Sequence, residues 1–116
     1  MKKKYRLLKN EDFKSVMDSK KYFTNQSFSL HYKDSELNQL RIGISVSRKL
    51  GGAVKRNFIK RQVRMMCMAT FDLQMPRDFV LLVRKGYLER KYQENAEELK
   101  KLYEKAKRGE KQDEII

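Results

Sequence analysis

The 116-residue chain has one cysteine, one proline and one histidine, and these shortages exclude several kinds of protein. A single cysteine, Cys67, cannot form an internal disulfide, which suits a reducing, cytoplasmic compartment. The longest unbroken apolar runs, 65–69 and 79–83, fall far short of the roughly 20 residues that a membrane-spanning helix needs. No apolar segment follows the basic first residues, so we also expect a soluble protein without a signal peptide.

The sequence also lacks the motifs of familiar catalytic sites. It contains no H-E-x-x-H, C-x-x-C, Walker-type loop or Ser/His/Asp arrangement. One histidine and one cysteine do not make a zinc site unaided. A two-metal nuclease needs several acidic ligands beside its substrate channel, whereas the carboxylates cluster mainly at 94–98 and 110–114. We therefore expect a binding protein that supplies no catalytic residue.

Positive charge is what the sequence has in excess. It has 28 Lys and Arg against 15 Asp and Glu, a net charge of +13. Such a surface attracts polyanions through phosphate neutralisation and counterion release, so nucleic acid and anionic membrane are the two candidates. From Leu37 to Phe71 there is no carboxylate. That imbalance opposes folding, and an absent polyanionic partner explains it; the alternative is a solvated basic face with no specific partner.

Apolar periodicity predicts one α+β domain over residues 1–116, with the element order α-β-β-β-α-β-α. The predicted elements are a short helix behind an Asn10 N-cap, two strands or one bent strand around a turn at 24–26, a strand at 40–47, a helix at 53–70, a strand at 78–84 and a helix at 92–106. The central strand–helix–strand succession implies a parallel pair joined by a crossover. Residues 1–4 are expected to form a loose basic arm and 108–116 a frayed tail.

The predicted helix at 53–70 has two stripes of side chains. The apolar stripe, expected to pack on the sheet, comprises Ile59, Val63 and Met66. The polar stripe, roughly opposite, comprises Asn57, Lys60, Arg61 and Arg64. Lys55 and Arg56 flank the helix start, where free backbone N–H groups also favour anions. Like charges at these spacings repel by roughly 0.2–0.5 kcal/mol per pair, so the polar stripe favours a bound polyanion.

The segment "ISVSRKLGGAVKRNFIKRQVR", residues 44–64, resembles the signature of the bacterial ribonuclease P protein subunit. Its pattern A-V-x-R-N-x-I-K-R-x-x-R is matched by Ala53, Val54, Arg56, Asn57, Ile59, Lys60, Arg61 and Arg64. The resemblance implies an α/β sandwich with a mixed sheet of about four strands and a left-handed crossover, an exception to the usual handedness. It also implies a protein cofactor for a catalytic RNA that removes the 5′ leader of precursor tRNA, with Mg²⁺ held mostly by RNA.

Residues and resemblance together suggest two groups of site residues. The group expected to bind the RNA subunit comprises Arg48, Lys49, Lys55, Arg56, Asn57, Lys60, Arg61 and Arg64. The group expected to line a cleft for the single-stranded leader comprises Phe13, Met17, Phe28, His31, Arg41, Ser45 and Ser47. Met17 and His31 stand where the family usually has aromatic residues; a histidine can still stack on a base. The strand parity of Phe28 assigns it to the core as well.

The expected partners are therefore ribonuclease P RNA and precursor tRNA, and neither membrane nor DNA. A ribosomal or other structural RNA-binding protein is the alternative, since it explains the charge but not the spacing of the Arg-Asn pattern. A stand-alone nuclease is disfavoured by the missing acids. A DNA-binding protein that uses 53–70 as a recognition helix is disfavoured because a strand, and not a helix, precedes it.

Overall fold

The structure, a computed structural model, describes residues 1–108. Its helices and strands are α1 (Asn10–Asp18), β1 (Tyr22–Thr24), β2 (Phe28–Asp34), β3 (Arg41–Val46), α2 (Ala53–Thr70), β4 (Arg77–Val83) and α3 (Tyr92–Lys107). Short 3-10 helices cover Lys3–Tyr5, Arg48–Leu50 and Lys85–Glu89. The predicted order α-β-β-β-α-β-α is confirmed. All but the first residue of the tail predicted at 108–116 lies outside the described residues.

The four strands form one mixed sheet in the order β1-β2-β4-β3. β2 pairs antiparallel with β1 and β4, while β3 pairs parallel with β4, as expected for strands joined through a helix. β1 and β2 are two strands and not one bent strand, because Asn25 closes a tight turn between them. Its side-chain oxygen accepts hydrogen bonds from the backbone N–H groups of Ser27 (3.1 Å) and Phe28 (2.9 Å).

The two faces of the sheet are covered unequally. One face packs against α2 and α3 and forms the main core, with strand residues Phe28, Leu30, Tyr32, Ile42, Val46, Phe79, Leu81 and Val83. Burial of each such side chain contributes roughly 1.5–3 kcal/mol, so this face supplies most of the stability. Within residues 1–108 the only helix longer than one turn on the other face is α1, which lies over a small cluster of Leu7, Val16 and Val80. Part of that second face is therefore left open.

The structure corrects the expectation of a loose arm at residues 1–4. Lys3–Tyr5 is a 3-10 helix, and Met1 packs against the main core. Just beyond it, Arg6 bridges to Ile42 in parallel, and the N–H of Leu7 donates to the carbonyl of Ile42 at 2.9 Å. The segment is held because β3 is an edge strand with unpaired backbone groups and because Leu7 is buried beneath α1.

Candidate nucleic-acid interface

The helix α2 is fixed to the body of the protein by its apolar stripe. Ile59, Val63 and Met66 are all buried, as the sequence predicts. The hydroxyl of Tyr87 adds a hydrogen bond to the side-chain oxygen of Gln62 at 2.8 Å. Cys67 is also fully buried, and this burial raises the pKa of its thiol to about 12, so the cysteine is a core residue without nucleophilic character at neutral pH.

The cations of α2 and of the preceding 3-10 helix have no acidic partner within residues 1–108. The ion pairs of that region join Lys14 to Asp18, Arg41 to Asp12 and Asp78, Arg77 to Asp34 and Lys101 to Glu98. The cations of this region that have no acidic partner there are Arg48, Lys49, Lys55, Arg56, Lys60, Arg61 and Arg64. Arg56, Lys60 and Arg64 are half-buried, so part of this charge is held close to the protein surface.

The sequence around the start of α2 fixes how these cations are presented. Ser47 caps the Arg48–Leu50 helix, where its hydroxyl oxygen accepts from the N–H of Lys49 at 3.1 Å. Gly51 has φ +142°, a conformation that side chains disfavour, and Lys55 folds over it. By helical geometry Asn57, Lys60, Arg61 and Arg64 share an arc of about 100°. Lys55 points to another side of the helix, which separates it from the polar stripe.

A second apolar stripe of α2 is exposed and runs beside the polar stripe. The sequence analysis did not predict it. Val54, Phe58 and Met65 are 86%, 55% and 59% exposed. Their i, i+4 and i+11 spacing places them on one line of the helix, and Arg61, at i+7, shares that line. Large apolar residues that fall outside the core stripe of an amphipathic helix are the sequence signal for such a surface.

The predicted cleft residues Phe13 and Met17 lie on α1, at the open face of the sheet. The ring of Phe13 rests directly on Gly43 of β3, so a Cβ at this position would require the ring to move. Met17 is 36% exposed. α1 is held on the sheet by the hydroxyl of Ser19, which donates to the carbonyl of Tyr32 at 2.8 Å. Both predicted residues therefore sit on a fixed element, with Met17 the more accessible of the two.

His31 is brought together with an aromatic residue that the sequence analysis did not assign. The register pairs His31 with Tyr22, and the two rings stack with centroids 5.0 Å apart. Tyr22 is 38% exposed, whereas His31 is nearly buried, with Nε2 2.9 Å from the hydroxyl of Ser29. Burial lowers the pKa of His31, so the ring is neutral at pH 7. Strand alternation could have predicted this contact, because it places Tyr22 on the face of the sheet opposite to the buried Phe23.

Phe28 is not a cleft residue. Its side chain is fully buried in the main core, on the opposite face of the sheet from α1. It meets Tyr87 edge to face, with ring centroids 5.6 Å apart. This corrects the assignment of Phe28 to the leader cleft: strand parity decides its position, and no part of the side chain is available to a ligand.

Arg41 is present at the predicted face but its charge is already compensated. Its Nε and Nη2 donate to the two carboxylate oxygens of Asp78 at 2.9 and 2.7 Å, and Nη1 approaches Asp12 at 3.5 Å. The hydrogen bonds to Asp78 raise the pKa of Arg41. The parallel register places Arg41 directly beside Asp78. Ser45 and Ser47, further along the same chain segment, are exposed.

The fold and this surface define a class of protein: a small α+β domain in which a helix packed on the sheet presents cations that have no acidic partner in residues 1–108. The sequence profile of the family described as Ribonuclease P matches residues 1–107. The ribonuclease P protein component of Mycoplasma mobile is 38% identical over 109 residues, 94% of this chain and 96% of that protein. The corresponding Streptococcus agalactiae protein is 41% identical over 93 residues, 80% and 85% of the two chains.

Solved structures agree with the sequence matches. A structure of the Staphylococcus aureus RNase P protein superposes with a TM-score of 0.80 at 30% identity, covering 89% of this chain and 95% of that one. The RNase P protein of Thermotoga maritima gives 0.73 at 27% identity, with coverage of 84% and 93%. The chain belongs to the ribonuclease P protein family. Its role is that of the protein component of ribonuclease P, a ribonucleoprotein endonuclease of tRNA processing, and the matches do not support the alternative of a ribosomal protein.

Proposed function

We propose that the polar stripe of α2 and the flanking cations bind the ribonuclease P RNA, while the open sheet face beside α1 binds the 5′ leader of precursor tRNA. One observation carries the first part: the cations at 48–64 have no acidic partner within the described residues. Because the helix is anchored by a buried stripe, the backbone that carries these charges is fixed before RNA arrives. Binding then costs side-chain conformational entropy but little backbone entropy.

The contact with the RNA subunit is expected to be mainly electrostatic. Arginine guanidinium groups match phosphate oxygens with paired N–H donors, and Arg56, Arg61 and Arg64 are spaced along one helix. Each phosphate that the protein neutralises releases counterions, so binding should weaken steeply with salt. Asn57 adds an exposed amide that both donates and accepts within the same surface.

The leader site is supported by a flat aromatic pair on an otherwise open surface. The stacked rings of Tyr22 and His31 expose mainly the Tyr22 side. Aromatic platforms bind unstacked bases with little sequence preference, which suits leaders of varied sequence. Met17 and Ser45 lie exposed on the same side of the sheet as this pair. Precursor tRNA would then bind more tightly than the mature product, which has no leader.

Within residues 1–108 no group of three or more His, Cys, Asp or Glu side chains is arranged to hold a metal ion. The proposal therefore gives the protein no metal-dependent step, and Mg²⁺ is left to the RNA. The protein acts by lowering phosphate repulsion between the RNA subunit and its substrate and by holding the leader. No helix of the described part is long and apolar enough to cross a membrane; a cytoplasmic location belongs to this proposal.

The test is a reconstitution. Purified protein is mixed with a ribonuclease P RNA and precursor tRNA at low Mg²⁺, and cleavage of the leader is followed. The proposal expects cleavage that is faster with protein than without it and absent when the RNA subunit is omitted. Cleavage by the protein alone would indicate a stand-alone nuclease. Tight RNA binding without faster cleavage would indicate a structural RNA-binding protein, and either result contradicts the proposal.

A further inference from the structure

A cleft between the N-terminal segment and α2 brings three guanidinium groups together. The cleft has a volume of about 600 Å³. Its charged lining is Arg6, Arg61 and Arg64, and its apolar lining includes Met1, Met65 and Met68. Arg61 and Arg64 belong to the polar stripe of α2, whereas Arg6 lies in the N-terminal segment, directly after the 3-10 helix Lys3–Tyr5. Only the folded structure brings the three arginines together.

Arg6 is held in position by its backbone. Its own N–H donates to the carbonyl of Lys3 at 3.0 Å, closing the turn of the 3-10 helix. The same residue bridges to Ile42 at the edge of the sheet, and the next residue, Leu7, is buried. Gln39 tethers the segment further, because its amide donates to the carbonyl of Lys4 at 2.6 Å. The side chain therefore projects from a fixed point.

The cleft lacks an internal partner for its charges. No carboxylate lines it, and the Nε of Arg6 is buried with no hydrogen-bond acceptor. A buried donor without an acceptor destabilises the folded protein. The pKa of Arg64 is lowered by its partial burial and, to a smaller extent, by the positive charge of Arg6. The two guanidinium groups therefore repel each other. An anion in the cleft would relieve both costs.

We propose that this cleft seats one phosphodiester group of an RNA backbone, bound jointly by Arg6, Arg61 and Arg64. The planar donors of arginine suit the oxygens of a phosphate, and the methionine walls lower the local dielectric constant, which strengthens the attraction. The inference rests on the proposed function and adds the N-terminal segment to it.

The test measures equilibrium binding of the full-length protein to ribonuclease P RNA. Arg6→Gln should weaken binding about tenfold, as expected for one lost charge-assisted hydrogen bond. The matched control is Lys3→Gln, which removes an exposed cation from the same segment but outside the cleft; it should change affinity less than twofold by the usual behaviour of exposed charges. Thermal melting of each variant reports folding. If Arg6→Gln melts early, Arg6→Met, which keeps the aliphatic stem, replaces it.

A double variant shows whether the arginines share one phosphate. The loss for Arg6→Gln with Arg64→Gln should be smaller than the product of the two single losses, because the same phosphate contact is lost once. A folded Arg6 variant that binds like Lys3→Gln would overturn the inference. Fully multiplicative losses would overturn it too, because they indicate separate phosphates.

Two binding measurements distinguish whether the phosphate belongs to the RNA subunit or to precursor tRNA. A loss already seen with the RNA subunit alone places the phosphate in that RNA. A loss seen only when the assembled ribonucleoprotein binds precursor tRNA places it in the substrate. No loss in either measurement contradicts the inference. The proposed function fails separately, when the wild-type protein does not accelerate cleavage in the reconstitution.

Discussion

The helices α2 and α3 pack on the same face of the sheet, yet they handle charge in opposite ways. α3 alternates acidic residues with its lysines and pairs Lys101 with Glu98. Its first turn contains Glu94, whose carboxylate accepts a hydrogen bond from the N–H of Lys91 at 2.8 Å. α2 has no acid in its first turn or anywhere else along its length. It even begins with Lys55 and Arg56, where the helix dipole disfavours cations by roughly 0.3–1 kcal/mol each.

The contrast between α2 and α3 distinguishes the features that folding requires from those that need another explanation. Both helices bury an apolar stripe in one core, so packing alone does not require the charge pattern of α2. A helix selected only for stability and solubility would resemble α3, with intermixed signs and an acidic first turn. The proposed contact with RNA would account for the charge of α2.

Charge reversal should affect the two helices very differently. Arg61→Glu with Arg64→Glu in α2 should weaken binding to ribonuclease P RNA by at least about 100-fold, because two charge-assisted hydrogen bonds are lost and repulsion is added. Lys100→Glu with Lys105→Glu in α3 changes the net charge equally and should cost only a few-fold, through long-range attraction. Filter binding at one salt concentration measures both. Equal losses would show that net charge, and not the surface of α2, controls binding.

Single neutral substitutions sharpen the same comparison. Arg61→Ala or Arg64→Ala should each weaken RNA binding and flatten the plot of log affinity against log salt by about one unit, the value for one neutralised phosphate. The double variant should flatten it by the same single unit if both arginines serve the phosphate of the Arg6 cleft. Lys100→Ala is the control. An unchanged slope in the α2 variants would show that these side chains are bystanders.

A smaller effect is expected at the open sheet face. Tyr22→Ala and His31→Ala should reduce the preference for precursor over mature tRNA by up to about tenfold, since stacking of one base contributes roughly 1–3 kcal/mol. Tyr22→Phe keeps the ring and should retain the preference. The two tRNA forms are compared by equilibrium binding to the assembled ribonucleoprotein. If the alanine variants discriminate like the wild type, the aromatic pair does not hold the leader.

The smallest effect is a pH dependence of folding. Burial lowers the pKa of His31 in the folded state below the ordinary 6.5. The unfolded chain then binds the proton more readily, so the contribution of His31 to stability is complete above pH 6.5 and declines as the pH falls below it. Thermal melts at pH 7 and pH 5 should show a larger decrease for the wild type than for His31→Asn. Equal decreases would assign the acid sensitivity to other groups.

Local sequence patterns predicted the fold well where they are strong. The stripe of Ile59, Val63 and Met66 indicated α2. Alternation indicated β3 and a continuous apolar run indicated β4, each to within one residue at each end. The N-terminal segment was harder, because its order depends on the burial of Leu7 and on pairing with Ile42, a residue far away in sequence. No local periodicity reports such a contact.

The surroundings of the candidate residues on the strands were harder to predict than the positions of those on α2. Their surroundings depend on the register between strands, which the sequence alone does not reveal. The pairing of β3 with β4 sets Asp78 beside Arg41, and the pairing of β1 with β2 sets Tyr22 against His31. Helical spacing, in contrast, follows from the sequence itself, so the polar stripe of α2 could be predicted residue by residue.

Lysine footprinting tests most directly whether the cations of α2 meet RNA while those of α3 do not. The protein, free or bound to ribonuclease P RNA, is acetylated briefly and each lysine is quantified by mass spectrometry. We predict strong protection of Lys49 and Lys60 in the complex, with Lys100 and Lys105 as reactive as in the free protein. Equal protection of both helices, or protection of α3 alone, would contradict the account.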